Sequence, residues 1–278
     1  MARHSLVAAV SGAVLALGAA GCGSATSAPP TTTAPPPPPP KPFRIVFPEG
    51  FTRQQMGARV KVVAKIAERE RHRPVRLNKP AYLAATRSAV VRCFDRTRRT
   101  NLEGFLFPAT YDFLRKTTAR QLVKAQLAAF CRNWDSVNMR YARSKNLTPH
   151  DVLTIASMIE GEAAVPSERP LIAAVIYNRL HARISLGIDA TLRYGLHIAP
   201  TESIHQSQLH DPTPYNTRLH LGLPPTPISN PGLAAIRAAA HPAHVDYLYY
   251  ARKKDHRHHF FTASGTAYNQ FLAQNGYG

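Results

Sequence analysis

The sequence predicts an α+β protein that combines amphipathic helices with short strands. Helical spacing of apolar residues is clearest in the segment that begins near residue 53 and in residues 117–145. Two aromatic-rich runs near the carboxyl end, "VDYLYYAR" and "HHFFTA", predict a hairpin. Residues 43–278, which number 236, are enough to bury a large core in one domain or in two.

Residues 1–21 predict a signal peptide for export. An apolar run from Leu6 to Ala20 is too short and too rich in small residues to span a bilayer comfortably. It ends in "LGAAGC", which resembles a bacterial lipoprotein processing box, so Cys22 would become the lipidated first residue and hold the protein at the cell membrane. Ordinary signal cleavage, with Cys22 incidental, is the alternative. Both predictions put the mature protein outside the cytoplasm.

Residues 22–42 predict a proline-rich tether. They contain six consecutive prolines, which favour the extended polyproline II conformation. Such a segment could hold a domain up to roughly 60 Å from its anchor. A proline-rich ligand for a partner domain is the alternative interpretation.

Positive charge is concentrated in the amino-terminal half of the chain. The whole chain has a net charge of +19, and residues 41–150 hold 24 Lys and Arg against 7 Asp and Glu. Residues 151–278 hold 10 against 9 and are nearly neutral. A basic exported surface suits anionic lipid headgroups or anionic wall polymers, and export argues against nucleic acid as a partner. A solvated basic surface with no specific partner remains the alternative.

Cysteine and histidine usage predicts no metal site. After Cys22 only Cys93 and Cys131 remain, and these two could form a disulfide after export, although the sequence leaves their distance open. No Cys/His spacing is typical of zinc, and "HRHH" at residues 256–259 is better explained as an exposed basic loop. No cofactor is expected.

The elements between these landmarks follow from local patterns. "FRIVFPEG" predicts a strand and a turn, "AYLAATRSAVVRCF" a short helix, and "LEGFLFPATYDF" a strand or an extended loop. Thr148, Pro149 and Asp151 predict the start of a helix over "LTIASMIEGEA", and Ser167 predicts the cap of the next one. After Gly187, "IDATLRYG" and the following residues predict short strands and loops, interrupted by a helix at "LAAIRAAAH".

Three polar residues on apolar helix faces are candidates for a functional site. Glu160 lies within the apolar arc of its helix, and neither it nor Glu162 has a basic neighbour within seven preceding positions. An unpaired carboxylate in such a position costs free energy, which favours a chemical role. Glu162 points about 200° away, so the two side chains diverge. Asn178 falls on the apolar face of the next helix, where its amide either fixes packing or lines a cleft.

Eight phrases together resemble the endolytic murein transglycosylases of the YceG-like family. They occur in the family's order from about residue 44 to the end, which makes the resemblance specific. The phrases are "FPEGFTRQQM", "LEGFLFPATYDF", "LTIASMIEGEA", "SERPLIAAVIYNRL", "LGIDATLRYGL", "YNT" followed by "GLPPTPISNPG", "AAAHPA", and "YLYYAR" followed by "HHFFT".

The resemblance implies cleavage inside peptidoglycan glycan strands without water. By position in the family's phrase, Glu160 would be the catalytic residue. It would protonate the oxygen of the β-1,4 bond between N-acetylmuramic acid and N-acetylglucosamine, then take the proton of the C6 hydroxyl that closes a 1,6-anhydro ring. Such an enzyme would limit the length of nascent strands, and peptidoglycan synthases are its expected partners.

The resemblance also implies the domains and the lining of a glycan cleft. Residues 43–100 would be a basic, shortened LysM-like module, and residues 101–278 a mixed α/β catalytic domain with the catalytic Glu on a helix. The expected cleft residues, in addition to Asn178, are Glu103, Asp189, Thr191, Tyr194, Tyr215 and Asn216.

Two other functions remain open on the sequence. A lysozyme-like hydrolase would share Glu160 but would use water and leave a reducing end. A lipoprotein that binds glycan as a scaffold would have a lapsed site. The chain also departs from the family at two positions, with Ala190 where Pro is usual and Gly161 where a larger residue is usual.

Overall fold

The computed structural model describes residues 39–95, 97–199 and 201–276. Within them, residues from 40 onward form one compact unit that combines helices with small antiparallel sheets. The helices are α1 (Arg53–Arg71), α2 (Lys79–Ala85), α3 (Ala119–Trp134), α4 (Arg140–Ser144), α5 (Pro149–Glu162), α6 (Arg169–His181), α7 (Asp189–Leu196), α8 (Leu233–Ala240) and α9 (Gly265–Asn275). The strands are β1 (Phe43–Val46), β2 (Ala89–Val90), β3 (Arg98–Arg99), β4 (Thr110–Phe113), β5 (Tyr249–Arg252) and β6 (His259–Thr262).

Three helices begin at threonine caps that the sequence makes recognisable. Thr52, Thr118 and Thr148 each accept a hydrogen bond from the backbone N–H three residues later, and the side chain of that later residue bonds back. This reciprocal capping box fixes the starts of α1, α3 and α5. The predicted cap at Ser167 is wrong, because a short 3-10 turn at Pro166–Glu168 leads into α6.

Strand pairing joins the first described residues to the rest of the unit. β1 pairs with β4 antiparallel, with Phe43 opposite Phe113, so residues on either side of position 100 share one sheet. Ile45 and Phe47 are buried in the same core as Phe113. The LysM-like assignment of residues 43–100 stays a prediction; the segment packs as part of the larger unit.

A disulfide links the two sides of this first layer. Cys93 and Cys131 are bonded, with their Cα atoms 5.5 Å apart, so the pairing that the sequence left open occurs. Cys131 lies on α3, and Cys93 lies in the turn after β2. The bond therefore fastens an irregular loop to a helix whose inner face packs Phe130 and Trp134 against Phe94.

The core of the carboxyl-terminal part is built around α5. Every residue from Val152 to Ile159 is buried, which explains the nearly uninterrupted apolar sequence of this helix. It packs against α6 and most extensively against α8, the alanine-rich "LAAIRAAA" helix whose small side chains permit close approach. The carboxyl end of α5, at Gly161 and Glu162, emerges from the core toward α7 and the β5–β6 hairpin.

Three predicted elements differ from the structure. The helix predicted over "AYLAATRSAVVRCF" ends at Ala85, and Ala89–Val90 form β2. "IDATLRYG" is not a strand. Ile188 is the cap residue of α7, which begins at Asp189, and Leu192 of this helix is fully buried. The flanking glycines suggested loops, but Ile188, Leu192 and Leu196 recur at the four-residue spacing of a helix face. The pattern at residues 117–145 is two helices, because Ser136 and Asn138 bond to nearby backbone groups and interrupt it. The predicted β5–β6 hairpin is confirmed.

The signal peptide, Cys22 and nearly all of the tether lie outside the described residues. Of the helices that are described, none has the length and apolar character needed to cross a membrane.

Candidate active site

Two cavities adjoin at the carboxyl end of α5. The larger, about 560 Å³, contains Glu162 and is bounded by α7 and by the β5–β6 hairpin. The other, about 480 Å³, contains Glu103 and is bounded by the residues that open α1. We call them the Glu162 cavity and the Glu103 cavity. Both are lined by Gly161, Ala190 and Arg193, so together they offer a path for an extended ligand.

Gly161 lies where α5 and α7 come close together, at the junction of the two cavities. A Cβ atom placed there would lie 3.2 Å from the Cβ of Ala190 on α7, a tight contact. Gly161 and Ala190 thus face each other. Small side chains at both positions let α5 and α7 approach closely at the centre of the path.

Glu162 is a carboxyl group with a raised pKa that lines the larger cavity. Burial is the main cause of the increase, and the nearby charge of Asp189 adds to it. His259, Arg252 and a hydrogen bond from the Tyr250 hydroxyl act in the opposite direction. A carboxyl group that lines a cavity and whose pKa is raised can serve as a general acid.

Glu160 is held elsewhere, as the predicted divergence of the two side chains requires. Its Oε2 accepts a hydrogen bond of 2.9 Å from the backbone N–H of Gly232, the cap residue of α8. Its Oε1 lies 3.6 Å from the Arg169 guanidinium, and its side chain is only 7% exposed. Among the described residues that line the two cavities, Glu160 does not occur.

The neighbours of Glu160 have opposing effects on its pKa and supply a partner for its charge. Burial raises its pKa and Glu49 adds to the rise, whereas the Gly232 N–H and Arg169 lower it. The sequence argument took Glu160 to be unpaired, and in the structure it has Arg169 as a partner. Gly50 packs over its side chain: a Cβ on this glycine would be 3.5 Å from Glu160 Cγ. These contacts are those of a carboxylate that joins α5, α6 and α8.

Glu103 is the most thoroughly bonded carboxyl group of the site. Its Oε1 accepts from the Arg53 backbone N–H at 2.8 Å and from Asn230 Nδ2 at 2.7 Å, and Tyr194 donates to its Oε2 at 3.2 Å. Burial raises the pKa of Glu103 to about 7, against the lowering effect of these donors. Its contact with Tyr194 agrees with the expectation that the two residues share a cleft.

Among the other predicted cleft residues, Asp189 lines the Glu162 cavity and Tyr194 lines the Glu103 cavity. Asp189 forms an ion pair with Arg218. Tyr215 packs its ring 5.0 Å from that of Tyr194 and shares a hydrogen bond with Thr226.

Three other predicted cleft residues form hydrogen bonds within the scaffold, and their place in a glycan cleft stays a prediction. Asn178 donates to the carbonyls of Val245 and Tyr247, which ties α6 to the chain before β5. Thr191 is fully buried and bonds Ile188 and Thr217, and Asn216 bonds two loop carbonyls. The partly buried amide of Asn178 thus contributes to packing, one of the two roles that the sequence left open.

The residues that surround Glu162 from the hairpin side were not predicted from the sequence. His259 lines the cavity, and Glu168 accepts both its backbone N–H at 2.9 Å and its ring Nδ1 at 2.7 Å. This leaves Nε2 as the ring nitrogen that can reach the cavity. The alternation in "HHFFTA" could have indicated it, because His259 and Phe261 share one strand face.

A protein-family model described as the YceG-like family matches residues 32–274. The chain belongs to the YceG-like family. A relative from Streptococcus pneumoniae R6, named endolytic murein transglycosylase, is 38% identical over 161 residues, which cover 56% of this chain and 29% of the relative. A relative of the same name from Bacillus subtilis 168 is 36% identical over 165 residues, which cover 58% of this chain and 45% of that relative. The chain thus spans less than half the length of these curated relatives.

A solved structure agrees with the fold. The crystal structure of a YceG-like protein from Listeria monocytogenes superposes with a TM-score of 0.70 at 28% sequence identity. The match covers 83% of this chain and 76% of the Listeria chain.

Proposed function

We propose that this chain is an endolytic murein transglycosylase that cleaves peptidoglycan glycan strands outside the cytoplasm. The observation that carries the proposal is Glu162, a carboxyl group with a raised pKa in the wall of a cavity. Relatives at 36–38% identity carry this name and support the substrate class. The two adjoining cavities suit a linear polymer, since a strand can occupy both sides of the cleaved bond.

In this proposal Glu162, rather than Glu160, moves the proton. A general acid must come within hydrogen-bond distance of the glycosidic oxygen. Glu162 lines the cavity, whereas both oxygens of Glu160 face Gly232 and Arg169 within the protein. The catalytic assignment that the family phrase suggests for Glu160 remains a prediction, and geometry favours its neighbour two residues later.

The proposed reaction balances without a water molecule. Protonated Glu162 gives its proton to the β-1,4 oxygen as the bond from C1 of the muramic acid residue to that oxygen breaks. The C6 hydroxyl of the same sugar then attacks C1, and its proton returns to the Glu162 carboxylate. The products are a new N-acetylglucosamine end and a 1,6-anhydro end, and the enzyme is restored. One carboxyl group suffices, unlike the pair of an ordinary glycosidase.

The neighbours of Glu162 fit this sequence of steps. Asp189, which lines the same cavity, favours the protonated form of Glu162 before cleavage and can stabilise positive charge that develops at C1. Tyr250 and His259 act the other way and stabilise the carboxylate formed after protonation. Opposing influences of this kind keep the pKa of one group suited to both proton transfers.

Product analysis in isotopically labelled water tests the activity. Purified glycan strands digested in H₂¹⁸O should give anhydro ends with no incorporated ¹⁸O, as read by mass spectrometry. Incorporation of ¹⁸O at a reducing end would show a lysozyme-like hydrolase instead. Absence of any cleavage, with the strands bound, would favour the scaffold alternative. The Glu162→Gln variant, prepared in parallel, controls for contaminating hydrolases.

We also propose where the enzyme acts. A lipid on Cys22 would hold it at the membrane, where it would limit the length of new strands beside peptidoglycan synthases. Cys22→Ser should abolish lipid labelling and shift the protein out of the membrane fraction or leave it unprocessed. An unmodified mature amino terminus in the wild-type protein would contradict this anchoring.

A further inference from the structure

A third cavity combines an apolar floor with a rim of cations. It measures about 550 Å³ and lies between β1, the carboxyl end of α1 and the residues that follow β4. Its lining shares no residue with the Glu162 or Glu103 cavity. We call it the basic cleft. Its floor is formed by Phe43, Val75 and Leu114, and its rim by Lys41, Arg71, Arg73, Arg115 and Lys116.

Hydrogen bonds between its walls fix the shape of the basic cleft. The backbone N–H of Arg76 donates to the Arg115 carbonyl at 3.0 Å, which joins the segment after α1 to the segment after β4. Arg71 donates to the Lys41 carbonyl at 2.8 Å, and its guanidinium lies 4.7 Å from the centre of the Phe43 ring. The three chain segments that form the cleft are therefore connected before any ligand binds.

The rim holds five cations without a carboxylate partner. All five side chains belong to exposed residues, and none forms an ion pair within the part of the chain that the structure describes. Of the acids nearby in sequence, Glu68 accepts the Val75 N–H and Asp112 pairs with Arg44. The negative end of the α1 dipole offsets part of the charge of Arg71, and the charges of the other four rim residues are not offset in this way. Like charges gathered in one cavity favour an anion.

The floor indicates what kind of anion fits. Leu114 is 42% exposed, and Phe43 and Val75 are half-buried, so apolar surface lies among the cations. Free phosphate or a hydrophilic phosphate polymer would leave that surface in contact with water. An amphiphilic anion would cover it while its charge meets the rim.

We propose that the basic cleft binds the headgroup of an anionic phospholipid. The phosphate lies among the rim cations, and the glycerol and first acyl carbons cover Leu114 and Phe43. Pro40 also lines the cleft, so the chain that leads back toward the predicted anchor at Cys22 departs from its edge. The proposal does not depend on the proposed catalytic activity.

Calorimetric titration of the full chain with soluble lipid tests the proposal. The probe is dihexanoyl-phosphatidylglycerol below its micelle concentration, which removes any effect of a lipid anchor. Saturable binding is expected, and it should weaken steeply with added salt. The double variant Arg73→Glu/Lys116→Glu should lose at least about tenfold in affinity, because each cation near a lipid phosphate contributes appreciably to binding.

Two further variants and two further ligands distinguish lipid binding from a response to charge or to phosphate alone. Arg87→Glu/Arg92→Glu makes the same change in net charge at exposed residues outside the cleft and should bind normally. Leu114→Ser should weaken lipid binding but leave binding of inorganic phosphate unchanged. Dihexanoyl-phosphatidylcholine should bind poorly.

Three results would overturn the proposal. One is the absence of saturable lipid binding by the wild-type chain. Another is equal loss in the two double variants, which would mean a response to net charge alone. The third is binding of poly(glycerol phosphate) as tight as that of the lipid with no effect of Leu114→Ser, which would assign the cleft to an anionic polymer.

Discussion

Three buried or partly buried carboxyl groups show how local partners decide the use of one side-chain type. Burial raises the pKa of Glu103, Glu160 and Glu162 alike. Glu103 is fully hydrogen-bonded, Glu160 is held by Arg169 and Gly232, and Glu162 lines a cavity. Glu103 also lines a cavity, but donors occupy both of its oxygens, whereas Glu162 lines the larger cavity with the Tyr250 hydroxyl as its hydrogen-bond donor.

A second single residue, His259, should influence the titration of Glu162. Since His259 lowers the pKa of Glu162, His259→Asn should raise it and move the alkaline limb of the pH–activity profile to higher pH. His258→Asn is the matched control, because His258 lies in the exposed turn and bonds Asp255. A profile that moves equally in both variants would contradict a specific role for His259.

Glu103 should make stability depend on pH. Its folded pKa of about 7 exceeds the ordinary value of 4.5, so the folded state favours the protonated form. Its contribution is therefore complete below about pH 4.5 and is lost as the pH rises through 7, by up to about 3 kcal/mol.

Glu103→Gln removes this titration while an amide can still accept from Arg53 and Asn230 and donate to Tyr194. The unfolding free energy of the variant, relative to wild type, should therefore increase between pH 5 and pH 8 in denaturant titrations. A difference that stays constant with pH would show that Glu103 does not titrate in this range.

Elements with strong local signals were predictable, and those that depend on distant contacts were not. The capping boxes at Thr52, Thr118 and Thr148 fix helix starts through bonds within four residues, so the sequence suffices to find Thr148. Helix α7 was missed because its eight residues contain a glycine and its stability depends on burying Leu192 against the rest of the unit. The pairing of β1 with β4 joins segments more than 60 residues apart and leaves no local signal.

The disulfide between the β2 turn and α3 should contribute substantially to stability. It connects residues 38 positions apart, for which loop-closure entropy predicts about 3–4 kcal/mol. Cys93→Ala/Cys131→Ala should lower the unfolding free energy by this amount, and wild type with reducing agent should match it. Equal stability of the oxidised and reduced proteins in denaturant titrations would contradict the prediction.

At the scale of the whole molecule, the sequence directs attention to residues 160–162 but does not by itself show how the two glutamates there are partnered. The family phrase and the apolar helix both directed attention to residues 160–162. The choice between the two glutamates depended on whether Glu160 was unpaired, and its partners come from α6 and α8, up to 72 positions away. The hydrogen bond between Glu168 and His259 joins residues 91 positions apart, so the sequence does not predict it either.

Paired amide variants test the central claim most directly. Glu162→Gln removes proton transfer, so release of anhydro-ended products should fall by at least about 10²-fold, the lower range for loss of general acid–base catalysis. Glu160→Gln keeps an oxygen that can accept the Gly232 N–H and removes a carboxylate whose pKa is raised by burial, so its melting temperature should change little. Its activity should stay within about tenfold of wild type when both variants are compared fully folded. Near-normal product from folded Glu162→Gln, together with loss of product from folded Glu160→Gln, would contradict the account and return the catalytic role to Glu160.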